Sequence, residues 1–341
     1  MTSRAAPAAV RNRTKSPYQM LKMHKGARLF TGAFILAITL GGCASLVPQT
    51  MALRDAWPAG VPPRIELADV PFFPQTEFQC GPAALATTLA HAGLSLTPEQ
   101  LVEQVYLPAR QGSLQADMLA APRRYGVVSY PIAGRIDDLL REVAAGNPVL
   151  VLQDNGVALF SNWHYAVVAG FDYPAGELLL RSGETRRHAV PFTVFEYTWK
   201  KSAYWAMVTL PPDRIPATAT ESAYLSAVVA MARVGDAKAV ATAYTTLLKR
   251  WPDNITASIA LANTHYERGE LPDAEALLRK AAARHPDSAL VLNNLAQTLS
   301  DQGRNTEALK LVEHALRADS PFAAAVRETR ETILSRLASG K

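Results

Sequence analysis

The spacing of apolar positions changes along this chain, and each change marks a different kind of element. Leu29 to Leu40 (LFTGAFILAITL) is one unbroken apolar run. Gly81-Pro82 followed by AALATTLAHAG predicts a helix with proline in its first turn and Gly93 as its stop. Leu96-Thr97-Pro98-Glu99-Gln100 predicts a capped entry into a second helix, Pro98 to about Tyr106. Further helices are expected over Ser113 to Tyr125, closed by Gly126, and over Ile136 to Ala145, stopped by Gly146. Then the period shortens. Pro148 to Gln153, Trp163 to Asp172, Glu177 to Arg181 and Tyr204 to Leu210 are short, apolar and rich enough in β-branched residues to be strands. Helices first and an antiparallel sheet afterwards make an α+β domain over residues 65–210.

Residues 211–220 read as a Pro/Thr/Ala linker, and beyond them the helical spacing returns and repeats. Pro252 and Pro286 are 34 residues apart, as are successive members of the set Gly235, Gly269 and Gly303. Leu261/Leu295, Ala262/Ala296, Ala274/Ala308 and Ala281/Ala315 keep the same interval. Small residues at helix contacts, glycine in the turn and proline between units resemble the tetratricopeptide repeat. Units are expected over Glu221 to Trp251, Pro252 to His285 and Pro286 to Ser320, with Phe322 to Leu337 as a capping helix within a repeat region of 221–341.

Composition is that of a globular protein, 49% hydrophobic and 19% charged. The net charge of +5 suggests nucleic acid until its location is considered. Arg4, Arg11, Arg13, Lys15, Lys22, Lys25 and Arg28 all precede the apolar run, and the rest of the chain holds 28 basic against 30 acidic residues. No basic patch drives it to phosphate, and no nucleic-acid partner is expected. The basic leader and its apolar run, too short to span a bilayer comfortably, match a signal peptide. Leu40-Gly41-Gly42-Cys43 resembles the bacterial lipobox. Residues 1–42 are then a lipoprotein signal, Cys43 the lipidated residue, and 43–64 a Pro/Ala-rich tether. Ala44 after that cysteine resembles the default for outer-membrane sorting, so lipid would hold the protein on the membrane, facing the periplasm.

That compartment bears on Cys80, the other of the two cysteines. Thiols there tend towards disulfides. With Cys43 committed to lipid, Cys80 is either buried and inert or kept for its reactivity. It directly precedes Gly81-Pro82 at the start of a predicted helix, where free N–H groups lower a thiol's pKa. His164, in Asn162-Trp163-His164-Tyr165-Ala166-Val167-Val168, opens an apolar strand and supplies a base in the same chain.

A glutamine shortly before Cys80-Gly81-Pro82 and a His-Tyr-x-Val-Val strand some eighty residues later resemble the bacteriocin-processing cysteine peptidases of the papain-like clan. Those enzymes cut leader peptides after double-glycine sites, usually as a domain fused to an ABC transporter. The resemblance covers roughly Val70 to Leu210. It implies a papain-like fold, Cys80 as nucleophile, His164 as general base, and Gln75 beside the Cys80 N–H as oxyanion donor, with Gln79 as the alternative. The family's glutamine lies six residues before the cysteine, whereas Gln75 lies five before it. The family orients its histidine with an Asp or Asn on the next strand. Here Ser182 stands in that place, in Leu180-Arg181-Ser182-Gly183, and Glu184 is a neighbour. Asp172 lies eight residues along the same strand as His164, about 26 Å away. Neither transmembrane helices nor a nucleotide-binding motif accompany the domain, so coupling to export is not expected from this chain.

The expected architecture is therefore an α+β papain-like cysteine peptidase domain followed by an all-α tetratricopeptide solenoid. The expected activity is a Cys-His peptidase acting on a peptide or protein, with amide transfer or deamidation open to the same machinery. The repeats would bind substrate or a partner protein. The alternative is a non-catalytic peptide-binding adaptor of an envelope complex. No cofactor or metal is expected: His91 and His188 have no companions at ligand spacing. Trp163, Trp199 and Trp205 read as core and cleft wall, and Asp154-Asn155-Gly156 as a turn.

Overall fold

A computed structural model describes residues 46–75, 78–157, 160–317 and 319–340. The predicted signal segment and Cys43 lie outside them. The chain divides into two units, Met1–Asp55 and Ala56–Lys341. Of the first unit, helix α1 (Pro48–Asp55) is described. Part of the predicted tether is thus helical, with proline in the first turn ahead of the helix formers Met51, Ala52 and Leu53. No helix of the described residues is long and apolar enough to cross a membrane.

The second unit begins with β1 (Arg64–Glu66), followed by α2 (Cys80–His91) and α3 (Pro98–Val105). Thr97 caps α3 through a reciprocal capping box with Gln100. β2 (Tyr106–Leu107) and β3 (Gly112–Ser113) form a small ribbon. Then come α4 (Gln115–Ala120), β4 (Val128–Pro131), α5 (Ile136–Ala144), β5 (Val149–Asp154), β6 (Trp163–Asp172), β7 (Glu177–Ser182), β8 (Thr185–Pro191), α6 (Phe192–Lys200) and β9 (Ala206–Leu210). The helix predicted over 113–125 is shorter than expected. Ser113 is drawn into pairing with Tyr106, and residues 121–125 tighten to a 3₁₀ turn around Pro122.

The main sheet runs β4-β9-β5-β6-β7-β8, with β1 also on β6, and every pairing is antiparallel. β6 is its spine. β5 takes one edge of β6 from Trp163 to Val168, and β1 continues that edge from Gly170 to Asp172. Gly170 lacks a side chain where the chain arrives, since a Cβ would sit 2.6 Å from the Ile65 carbonyl. Helix α2 lies on the sheet through Leu85 and Leu89, which share a buried core with Leu101, Met118, Leu150, Tyr165, Val167 and Met207.

Seven helices follow: α7 (Glu221–Ala232), α8 (Ala237–Arg250), α9 (Ile255–Glu267), α10 (Leu271–Arg284), α11 (Ala289–Asp301), α12 (Asn305–Ala315) and α13 (Ala323–Ala338). The alanines in phase, Ala262/Ala296, Ala274/Ala308 and Ala281/Ala315, are all buried where helices meet. Gly269 and Gly303 take positive φ of 75° and 79° in the turns. Gly235 serves differently: it lies against the Arg123 carbonyl, where a Cβ would come within 3.2 Å.

The segment between the sheet and the repeats is fastened to α5 by one side chain. Glu142 is fully buried. Its Oε1 accepts hydrogen bonds from the Thr218 amide (2.7 Å) and hydroxyl (2.6 Å). Its Oε2 accepts from Asn147 Nδ2 (2.7 Å) and the Ala217 amide (3.2 Å). Arg214 bonds Asn147 Oδ1 (2.9 Å), and the Tyr224 hydroxyl of α7 donates to the Arg214 carbonyl (3.1 Å). Removing this acceptor strands several buried donors, so Glu142→Ala is expected to cost on the order of 3 kcal/mol. A urea melt checks the loss, and limited proteolysis should show new cutting within 211–220.

Candidate active site

Cys80 is the first residue of α2, and its sulfur meets the amides of Gly81, Tyr165 and Cys80 itself. The local sequence explains this placement. Pro82 has no N–H to lose in the first helical turn, and Gly81 lets the ribbon approach. A Cβ on Gly81 would overlap Ser113 Oγ and stand 2.6 Å from Ser113 Cβ. Cys80, His164, Tyr165 and Gln75 line one open cleft together with residues 110–115 and Trp163. The sequence-predicted cysteine, histidine and glutamine are therefore brought to one place.

His164 is oriented from behind. The ladder that pairs Val167 with Arg181 carries the next residue, Ser182, towards the start of β6. Its Oγ stands 2.9 Å from His164 Nε2. Ser182 lies outside the cleft lining and reaches it through the imidazole. With Nε2 engaged, Nδ1 is the ring nitrogen left for a proton from the thiol. Asp172 sits at the far end of β6, paired with Glu177 and Arg64.

Gln75 Nε2 donates to the Tyr165 carbonyl at 3.4 Å, beside the sulfur's own amide partner. Its backbone N–H donates to Gly183 O at 3.1 Å. Gln79 occupies the position before the helix and makes no side-chain cap. The segment leading to Gln75 is held by a residue that sequence reasoning did not single out. Buried Arg181 reaches the carbonyls of Val70 (3.3 Å), Leu67 (3.1 Å) and Arg186 (2.8 Å). Ser113 and Tyr165 were missed too, because no local pattern marks a hydroxyl or an amide that matters through distant contacts. The tryptophans divide as expected: Trp199 is core and Trp163 is cleft wall.

The electrostatics are those of a neutral pair. Burial raises the Cys80 thiol, with the amides of Tyr165, Gly81 and Cys80 offsetting part of that effect. Burial, and then the nearby His188, holds the His164 imidazole below its ordinary value. The cleft lining includes Arg110 and Lys201 and, among the described residues, no carboxylate. Nothing there balances an imidazolium, and a serine oxygen carries no charge to do so.

An α+β domain with a cysteine in the first turn of a helix and a strand histidine on one cleft defines a cysteine-peptidase-like architecture. Residues 67–207 match the Peptidase_C39 like family, and residues 231–293 and 271–328 match the Tetratricopeptide repeat. The chain thus carries a C39-like peptidase domain followed by tetratricopeptide repeats, which act generally in protein–protein interaction. A stretch of 90 residues is 37% identical to cellulose synthase operon protein C of Pseudomonas fluorescens (strain SBW25), covering 26% of this chain and only 7% of that one. Among solved structures, a candidate C39-like peptidase from Bacillus anthracis is 18% identical, with 43% of this chain and 97% of that one covered at a TM-score of 0.37. A MamA crystal structure is 19% identical, with 34% and 63% covered at a TM-score of 0.31.

A resting thiol–imidazole pair has a kinetic signature. Iodoacetamide alkylation of Cys80 should climb about tenfold per unit between about pH 6 and pH 8, following the thiolate fraction. A rate already on a plateau below neutrality would mark a thiolate–imidazolium pair and contradict this electrostatic account.

Proposed function

We propose that this chain is a lipid-anchored cysteine peptidase facing the periplasm, acting on a peptide or protein held partly by its repeats. The observation that carries the reading is the common cleft of Cys80 and His164, with His164 held at 2.9 Å by Ser182. Nδ1 of His164 takes the thiol proton as sulfur attacks a carbonyl, and returns it to the leaving amine. The Cys80 N–H and the Gln75 amide hold the oxyanion. Nε2 must then carry its hydrogen towards Ser182 Oγ, which fixes the ring and its tautomer. Because the pair rests neutral, proton transfer accompanies attack. The bacteriocin-processing resemblance supports a peptide substrate. The same acyl-enzyme route serves amide transfer or deamidation. Lipid on Cys43 is supported by the basic leader, the apolar run and the Leu40–Cys43 motif, and a place on the outer membrane by Ala44 after it.

One observation favours the alternative, a peptide-binding adaptor: the raised thiol and lowered imidazole are what an idle pair also shows. Acylation separates the two. With p-nitrophenyl acetate, His164→Ala is expected to slow Cys80 acylation by about 10²- to 10⁴-fold. Ser182→Asp, which places a charge beside the ring, is expected to speed it about tenfold and move its pH profile, while Ser182→Ala slows it. Acylation at a free-thiol rate, indifferent to His164→Ala, supports the adaptor. Comparing envelope peptides with and without Cys80→Ser then names the substrate. For the anchor, metabolic labelling with palmitate should mark the wild type and leave Cys43→Ala unlabelled.

A further inference from the structure

The cleft that holds Cys80 and His164 carries positive charge without negative. Arg110 and Lys201 line it, and none of the described residues of its lining is an acid. Overall composition does not account for this, because after the basic leader the chain has slightly more acids than bases. The two cations differ in what occupies them. Lys201 is engaged: its Nζ donates to the carbonyls of Asp154 (3.1 Å) and Gly156 (2.7 Å) and lies 5.0 Å from the centre of the Tyr197 ring. Its charge also acts on the Asp154 carboxylate. Arg110 is exposed, and its guanidinium makes no hydrogen bond or ion pair among the described residues.

Backbone, not side-chain pairing, fixes where Arg110 stands. β2 and β3 pair Tyr106 with Ser113 and Leu107 with Gly112, leaving a short turn between them. Pro108 opens that turn as a 3₁₀ element over Pro108–Arg110, and Gln111 closes it with a left-handed φ of 48°. The Gln111 amide donates to the Pro108 carbonyl at 3.1 Å. The base of the ribbon is tied to both reacting groups. Ser113 packs on Gly81, beside Cys80, so closely that a Cβ there would overlap its hydroxyl. The Tyr165 hydroxyl, from the residue after His164, donates to the Ser113 carbonyl (3.2 Å). Three residues separate Arg110 from Ser113, so their Cα atoms are at most about 11 Å apart. An extended substrate advances about 3.3 Å per residue, which puts this cation opposite its second to fourth residue from the attacked carbonyl.

We propose that Arg110 is a specificity residue of the cleft, taking the carboxylate of an Asp or Glu side chain two to four residues from the carbonyl presented to Cys80. The inference rests on Cys80 and His164 being nucleophile and base. A guanidinium offers a carboxylate two parallel donors, and no acid of the described lining competes for them. An acidic side chain is favoured over a chain terminus because the cleft is open and lets the polypeptide run on. The residues at the bond itself are left free to be small.

The test uses the whole chain and two pairs of substrates, each pair differing only in charge. Before the bond, p-nitrophenyl esters of acetyl-Glu-Gly-Gly and acetyl-Gln-Gly-Gly are compared. After it, acetyl-Gly-Gly thioesters of mercaptoacetyl-Ala-Glu-amide and mercaptoacetyl-Ala-Gln-amide are compared. Every rate is corrected for the reaction with free N-acetylcysteine. In one of the pairs, wild type is expected to acylate Cys80 about three- to tenfold faster with the Glu member at about 20 mM salt, and less so at about 300 mM. Arg110→Gln should abolish the preference without lowering the thermal midpoint. Arg110→Glu should turn it towards a Lys member of the same pair, a reversal that a merely structural arginine would not give. No preference in either pair, or one that survives Arg110→Gln, overturns the inference. If none of the substrates acylates Cys80 in a His164-dependent way, the peptidase reading fails and takes this one with it. His164-dependent acylation without a charge preference overturns the role of Arg110 alone.

Discussion

A strand buried inside a sheet must find a partner for every backbone N–H and C=O, and in this protein β6 sets that requirement for the rest of the domain. Ten residues long and buried along most of its length, it takes β5 and then β1 on one edge and β7 on the other. The consequences reach the cleft. Pairing with β7 delivers Ser182 to the imidazole of His164. Pairing with β5 sets Trp163, at the start of β6, on the cleft wall. Pairing with β1 brings in the chain that continues to Gln75 and Cys80, and Arg181 on β7 holds that chain by three carbonyls. The amide of Tyr165, one residue past His164, meets the Cys80 sulfur. Cys80, His164 and Ser182 are thus located by a single hydrogen-bonding constraint.

What that geometry lacks is charge. An Asp or Asn behind a histidine and a serine behind it give similar orientation, but only a carboxylate stabilises the cation that forms when the ring is protonated. Here burial acts on both members of the pair in the direction of neutrality, and no carboxylate lines the cleft among the described residues. For the proposed peptidase, proton transfer would accompany attack, at a cost in rate relative to a preformed ion pair.

The repeats join the peptidase-like domain as a fixed extension of it. Glu142 and Arg214 turn the stretch after β9 into a hydrogen-bonded strap, and Gly235 allows the first repeat to close on the Arg123 carbonyl. The first repeat helices are therefore set in one direction relative to the domain that carries the cleft.

Much of this was legible from local pattern. The helices at Cys80, Pro98 and Ile136, the strands from Val149 to Ser182, and the in-phase alanines of the repeats all follow from periodicity and caps. These are properties of neighbours in sequence. Strand β8 escaped notice because TRRHAVP is polar and mostly exposed, the character of an edge strand rather than a buried one. Helix α6 escaped because FTVFEYTWK is aromatic and β-branched, so its own propensities argue for a strand and tertiary packing overrides them. At the cleft, Cys80 and His164 could be named from sequence because each sits at a recognisable start, one of a helix and one of a strand. Gly81 against Ser113 and Arg181 across to Leu67 could not. Each depends on which distant segment the sheet register brings opposite, and that register is decided only when the backbone of β6 is paired on both sides.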